Sequence, residues 1–269
     1  MKKLGLIAGK GELPMAVADE AKMQGYTVIA VGLEPLADKA LSSHVDEIQW
    51  VNVGKFGKII DAMKKSDIRE AVMAGKVSKT LLYKSKITPD LKAVKLLLSL
   101  KDRRDDSVLL AITEELAREG VMLLDISRFC SALLAPNGVL TKDAPSDENW
   151  KDISFGWKIA KEMGRLDIGQ TVVVKNKAVM AVEAIEGTDE AIKRGGILAG
   201  KDAVVVKVSK PNQDMRFDVP TIGLDTLKAM KTVHARVLAV EANKCIVLNR
   251  DKIKNEAKTA GISIVGYTE

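Results

Sequence analysis

Aromatic side chains are scarce in this chain, only 4% of its residues, and nowhere do they interleave with a basic run. With no nucleic-acid motif beside them, this excludes the stacking platforms that grip single strands, and no nucleic-acid partner is expected. Cysteine is limited to Cys130 and Cys245, whose spacing is neither paired nor metal-like; a disulfide framework is excluded and reduced thiols in a cytoplasmic protein are expected. His44 and His234 are too few for a histidine-rich metal site. Apolar runs of membrane-spanning length are missing, and the short run before Lys10 carries no small-residue cleavage site. The expectation is a soluble protein that can still touch a membrane surface.

What is present is ample material for real cores, with 46% hydrophobic residues over a length that suits one large or two ordinary domains. Lys+Arg 42 against Asp+Glu 36 leaves +6, spread along the chain, a balance that suits an anionic ligand or an anionic membrane surface.

From the start, short apolar runs alternate with helical patterns. Leu4 to Gly9 reads as a strand, Gly9-Lys10-Gly11 as a glycine turn with Pro14 opening a helix, and Thr27 to Leu33 as the next strand, a connection that should be parallel and right-handed. Strands are expected at Glu47 to Val53, Glu70 to Ala74 and Val121 to Ile126, with a helix at Phe56 to Lys65. Two more helices follow, one starting at Thr88-Pro89-Asp90 with Asp90 inside the first turn, and one from Val108 to Gly120. This is a Rossmann-like parallel sheet domain over residues 1–134. Its glycine and lysine junctions, Gly9, Lys10, Gly11, Gly75 and Lys76, fall at strand ends, where open α/β sheets bind phosphates, and Lys58 is a further candidate contact. The dinucleotide fingerprint is incomplete, since Pro14 stands where its third glycine belongs. A nucleotide-type ligand is favoured over a nicotinamide cofactor, with a structural turn close behind. Asp105 and Asp106 at a helix start suit the helix dipole, and from spacing alone a capping role is favoured over holding Mg²⁺.

Turn residues gather at Pro136-Asn137-Gly138 and Ala144-Pro145-Ser146, and residues 135–269 read as a second, mixed α/β (α+β) domain. Asn176-Lys177 joins two strands as a hairpin, Thr188 is a candidate N-cap, and Val237 to Val240 with Cys245 to Leu248 read as a second hairpin. Between Lys207 and Leu227 lies the stretch that structure alone does not call for: Lys210, Asp214, Arg216 and Asp218 put two cations and two carboxylates within nine residues. A charged solvated loop is the bland alternative. Asp218-Val219-Pro220-Thr221-Ile222-Gly223, however, sets a carboxylate among rigid and apolar residues, and rigid placement serves chemistry.

Several of these segments, in order, carry a resemblance: Leu4 to Gly9, Phe56-Gly57-Lys58, Ala74 to Val77, Asp105-Asp106, Ile168-Gly169-Gln170, Glu186-Gly187-Thr188-Asp189, and Lys210-Pro211 through Gly223. The chain resembles the UDP-2,3-diacylglucosamine pyrophosphatases of the LpxI type over nearly its whole length, the last motif being the most specific. The resemblance implies two domains with a ligand cleft between them and magnesium-dependent hydrolysis of the substrate to UMP and lipid X in lipid A synthesis. It also implies a cytoplasmic protein, peripheral at the inner membrane. Its essential aspartate is the one just before the hydrophobic-Pro-Thr-Ile-Gly run, here Asp218, whereas Asp225 reads as a cap. Lys10 stands where relatives often carry a third small residue.

Catalysis is thus expected from Asp218, Asp214, Arg216 and Lys210. Substrate contacts are expected from Gly9, Lys10, Gly11, Gly75, Lys76, Gly187, Thr188, Asp189, Thr221 and Gly223. Mg²⁺ or Mn²⁺ is expected on Asp105, Asp106 and Asp218, because hydrolysing a doubly anionic pyrophosphate needs cations to offset charge and carboxylates to hold a metal or orient water. The acyl chains call for an apolar groove that the residues do not locate, and a homodimer is compatible with the sequence. A nicotinamide-dependent oxidoreductase and a non-catalytic nucleotide-sugar-binding protein stay open as alternatives.

Overall fold

A computed structural model describes residues 2–77, 88–100, 105–211, 213–216 and 218–269, with backbone alone for Asp105 and Asp106. The chain forms two units: one holds residues up to Cys130 with Met215 and Arg216, and the other runs from Ser131 to Asp214 and from Asp218 to Glu269.

In the first unit, β1 (Lys2–Ala8), β2 (Tyr26–Glu34), β3 (Glu47–Asn52), β4 (Glu70–Ala74) and β5 (Met122–Leu123) make one sheet in the order β3-β2-β1-β4-β5, every pair parallel. This is the Rossmann-like arrangement expected from alternating strands and helices, and the chain changes direction across the sheet between β1 and β4. Helix α1 (Leu13–Met23) buries Pro14, Val17, Ala18 and Ala21, a stripe at three- and four-residue spacing. Helix α2 (Phe56–Lys65) buries Phe56, Ile59, Ile60 and Met63 in the same way against Ile7, Ile29 and Val31. Each such buried side chain contributes about 1.5–3 kcal/mol of transfer free energy.

Helix α3 (Leu91–Ser99) opens on Asp90, which is its N-cap and not a first-turn residue as expected: its carboxylate accepts the Ala93 N–H at 2.9 Å. The same carboxylate accepts the Gly57 N–H at 2.8 Å, so one side chain satisfies the otherwise unpaired donors of both α2 and α3. Helix α4 (Asp105–Arg118) starts three residues earlier than expected, at the acidic pair. Just past its end Glu119 accepts hydrogen bonds from Lys64 of α2 and Lys92 of α3, which hold its carboxyl near 2. After β5, the short helix α5 (Ser127–Cys130) closes the unit.

The second unit is a sheet in the order β6-β13-β11-β9-β7-β8, built from β6 (Gly138–Val139), β7 (Thr171–Lys175), β8 (Ala178–Val182), β9 (Val204–Lys207), β11 (Val237–Glu241) and β13 (Ser263–Tyr267). Parallel pairing at its centre and antiparallel pairing at its edges make it mixed, as expected. Helix α6 (Asp147–Arg165) packs Ile153, Trp157, Ala160 and Met163 on Val172, Val174, Val204 and Val206. The alternate residues Val173, Val205, Leu238 and Val240 face the other way, into a core shared with α7 (Thr188–Ala199), α8 (Leu224–Thr232) and α9 (Arg250–Ala260).

The hairpin at Asn176-Lys177 is present, both residues at positive φ, and Asp152 accepts both of their N–H groups at 2.9 and 2.6 Å. The second expected hairpin is absent. β11 is buried along its length and takes parallel neighbours on both sides, and the chain then leaves the sheet, so that β12 (Ile246–Val247) pairs in parallel with β10 (Thr221–Ile222). A strand covered on both faces gains most from two parallel partners, and that outweighs the short connection.

Candidate active site

At the carboxyl edge of the first sheet the two glycine and lysine junctions are brought together. The Gly9 N–H donates to the Ala74 carbonyl at 2.8 Å, and Lys10 and Lys76 exchange N–H···O=C bonds at 2.9 Å in each direction. The approach is close enough to require both glycines: a Cβ on Gly9 would sit 2.9 Å from the Lys76 carbonyl oxygen, and one on Gly75, at φ +92°, only 2.7 Å from Gly9. Three backbone donors of the expected phosphate cradle are therefore spent on pairing the loops. Gly11, at φ +106° with open space where a Cβ would be, and the two lysine side chains are what the rim offers a ligand. Lys58 lies in the first turn of α2.

In the second unit, the stretch after β9 is tied down at both ends. Ser209 donates its N–H to Glu241 at 2.8 Å, and Glu241 is buried while accepting Lys161 Nζ at 2.5 Å and pairing with Lys244 at 2.9 Å. Burial alone would raise this carboxyl; the hydrogen bonds from Lys161, Lys244 and the Ser209 N–H hold it below the usual range instead. Lys161 also donates to the Ser209 carbonyl at 3.2 Å. Lys210 then makes a turn with Gln213, its N–H reaching Gln213 Oε1 at 2.8 Å, while its Nζ pairs with Asp167 Oδ1 at 2.5 Å. The Asp218 N–H closes on the Asp214 carbonyl at 3.0 Å, so the two candidate carboxylates stand at either end of one backbone turn, with Arg216 inside it. The Met215 carbonyl accepts the Ile126 N–H at 3.2 Å.

Beyond Asp218 the chain is held by β10. Ile246 donates to the Pro220 carbonyl at 2.8 Å and Leu248 to that of Ile222 at 3.1 Å, while Thr221 Oγ1 reaches back to the Val219 carbonyl at 3.0 Å. Gly223 is the N-cap of α8. This corrects the reading of Asp225 as a cap: it lies in the first helical turn, exposed and paired with Lys228 at 3.0 Å.

Thr188 is likewise not an N-cap, a position filled by Gly187 at φ +86°. Its hydroxyl instead donates to Glu183 Oε1 at 2.9 Å and accepts from Lys207 Nζ at 2.8 Å, where β9 ends and the charged stretch begins. Lys207 and Glu183 are both buried, and Glu183 Oε2 is buried with no hydrogen-bond partner among the described residues. Asp189 follows in the first turn of α7. Gly169 lies against the Glu183 carbonyl oxygen, where a Cβ would come within 2.1 Å, and the Gln170 carbonyl accepts the Val208 N–H. The segments Ile168-Gly169-Gln170 and Glu186 to Asp189 are thus joined to the foot of the Lys210–Asp218 stretch.

Glu183, Lys207, Glu241, Lys161 and Asp167 belong to this constellation and carry no local motif. Only an ionisable residue closing an otherwise apolar strand, as at Lys207 and Glu241, marks two of them in the sequence. Asp105 and Asp106 open α4, and their side chains lie outside the described residues. Among the described residues no three histidine, cysteine or carboxylate side chains gather as a metal centre. Asp214 and Asp218 offer only hard oxygen donors, which fits a cation that needs one or two carboxylates and keeps its waters. Burial pushes Cys130 and Cys245 up to about 12, which removes both from nucleophilic chemistry. Among the described residues no helix is long and apolar enough to cross a membrane.

Fold and site define a two-unit α/β protein whose charged and glycine-bearing residues stand on strand-end loops. Family comparison matches residues 3–133 to the LpxI N-terminal domain and 136–265 to the LpxI C-terminal domain, and the chain belongs to the LpxI family. UDP-2,3-diacylglucosamine pyrophosphatase LpxI of Caulobacter vibrioides is 32% identical over 99% of this chain and 98% of its own. Among solved structures, N5-carboxyaminoimidazole ribonucleotide synthetase from Thermotoga maritima aligns at 17% identity over 68% of this chain and 41% of its own, with a TM-score of 0.26. N5-carboxyaminoimidazole synthetase from Staphylococcus aureus does so at 17% identity over 79% and 68%, again at 0.26. Likeness at this level carries no weight for fold or activity.

Proposed function

We propose that this protein hydrolyses the pyrophosphate bond of UDP-2,3-diacylglucosamine to UMP and lipid X, as a cytoplasmic enzyme peripheral to the inner membrane. The observation that carries the proposal is the end-to-end match to the Caulobacter vibrioides relative whose name states that activity. The anchoring of Asp218 between a backbone turn and a two-stranded sheet supports it, since a carboxylate that must orient water needs a fixed backbone.

In this mechanism Asp218 orients the attacking water and takes its proton. Water adds at phosphorus, the bond to the bridging oxygen breaks, and the two monophosphates leave. Lys210 and Arg216 offset the charge of the pyrophosphate; Lys210 is prepared by Asp167, from which it can turn toward a stronger anion. Substrate contacts are assigned to Lys10 and Lys76 at the rim of the first unit and to Thr188, Asp189, Thr221 and Gly223 of the second. Bound Mg²⁺ or Mn²⁺, held by Asp218 with Asp214, would stabilise charge on the phosphoryl oxygens. Incubating the protein with UDP-2,3-diacylglucosamine and Mg²⁺ tests the proposal: UMP and lipid X are the expected products, and recovery of intact substrate refutes it.

A further inference from the structure

Polar side chains close one apolar face of the second sheet. Val173, Ala181 and Val205 point into the core with Ile192. Two positions along each segment, strand alternation puts Thr171, Glu183 and Lys207 on the same face, and all three are buried. Lys207 Nζ donates to Thr188 Oγ1 at 2.8 Å, and that hydroxyl donates to Glu183 Oε1 at 2.9 Å, with Thr171 Oγ1 3.5 Å away. A hydroxyl has a single proton. Once it is given to Glu183, lone pairs are what remain to face Lys207, so Glu183 sets the direction of the whole relay. Stability does not call for this arrangement. Glu183 Oε2 has no partner among the described residues, and a partly satisfied buried network is worse than apolar packing in the same space.

We infer that Glu183 is a positioning residue for the proposed hydrolysis, acting through Thr188 on Lys207. The three groups come from the end of β8, the start of α7 and the end of β9. Lys207 is the last strand residue before Ser209 and Lys210 open the charged stretch, and its backbone is held in register with Thr171 of β7 and Val240 of β11. What the relay adds is a tie between this foot and the Glu186–Asp189 segment, so that the two loops keep one placement. Without an oriented Thr188 hydroxyl the buried ammonium loses its acceptor and must find another, and the chain that follows it shifts. Misplacing reacting groups by about 1 Å is enough to slow a reaction severely. The inference rests on the proposed reaction, for which the Lys210–Asp218 stretch has to be held in place.

Steady-state hydrolysis of detergent-dispersed UDP-2,3-diacylglucosamine by variants of the full chain tests it. Glu183→Gln loses the charge and keeps an oxygen acceptor in reach of Thr188, its amide nitrogen taking the place of the unpartnered Oε2. Glu183→Asp keeps the charge and withdraws the acceptor by one methylene. The aspartate variant should lower kcat by about tenfold or more with KM within about threefold of wild type, and the glutamine variant should recover most of that kcat. Thr188→Val should lower kcat at least as far, and adding Glu183→Asp to it should cost nothing further, because the relay is already cut. Denaturant unfolding checks that each variant is folded. Wild-type kcat in the aspartate variant overturns the inference. So does a glutamine variant slower than the aspartate one, which would make charge and not placement the requirement, and so do losses that multiply in the double variant. These outcomes leave the reaction standing, whereas a wild type that leaves the substrate intact refutes the reaction and this role together.

Discussion

Asp218 and Asp225 are seven positions apart on one stretch, and their surroundings assign them opposite weights. Asp218 is fixed by its own backbone bond to Asp214 and by the strand that follows, whereas Asp225 lies exposed on a helix with a local lysine. Asp218→Ala should lower kcat by about 10²–10⁴ with substrate affinity retained or improved, because a carboxylate beside an anionic ligand repels it in the ground state. Asp225→Ala should leave kcat unchanged, and steady-state kinetics on the two variants decides the matter. Glu241 carries a different expectation. Removing it strands Lys161 beside the loop, so Glu241→Gln should cost about 3 kcal/mol of stability in denaturant unfolding. Its folded pKa lies below the ordinary 4.5, so the unfolded chain binds the extra proton. The stabilisation is therefore complete above that value and is lost as pH falls through the folded one, and the variant's deficit should shrink toward acid.

Among the elements, Asp90 is the point where one substitution reaches two helices. Asp90→Ala should cost about 2 kcal/mol, roughly 1 for each cap, seen as a shift in the denaturant midpoint at unchanged m-value. The hairpin turn offers the opposite sign: Lys177 sits at φ +57°, and Lys177→Gly should stabilise by about 0.5 kcal/mol in the same measurement. Legibility in the sequence follows the same division. β1 to β5 can be read directly because each strand ends at a turn signal and its partner is the next strand or nearly so. The pairing of β11 with β9 and β13 cannot, since what recruits those neighbours is burial on both faces, a property of the folded sheet. The same holds for Lys161 and Glu241, 80 positions apart, whose pairing no local pattern announces. Asp218 is legible for the converse reason: proline, glycine and apolar residues around one acid advertise rigidity over a few positions.

For the molecule as a whole, turnover should depend on a divalent cation. Exhaustive chelation is expected to abolish hydrolysis, Mg²⁺ or Mn²⁺ to restore it, and Zn²⁺ to do so poorly, because the candidate ligands are all carboxylates. Full activity after chelation would remove the metal from the mechanism. The rim where Lys10 and Lys76 meet has a separate implication, for divergence. Among the described residues main-chain hydrogen bonds join the two loops, and the backbone leaves no room for a side chain at Gly9 or Gly75. Drift can therefore exchange the side chains at positions 10 and 76 for others of different size or charge without loosening the junction, while the neighbouring glycines cannot change at all. New ligand preferences can evolve at this edge through two freely variable positions on an invariant frame.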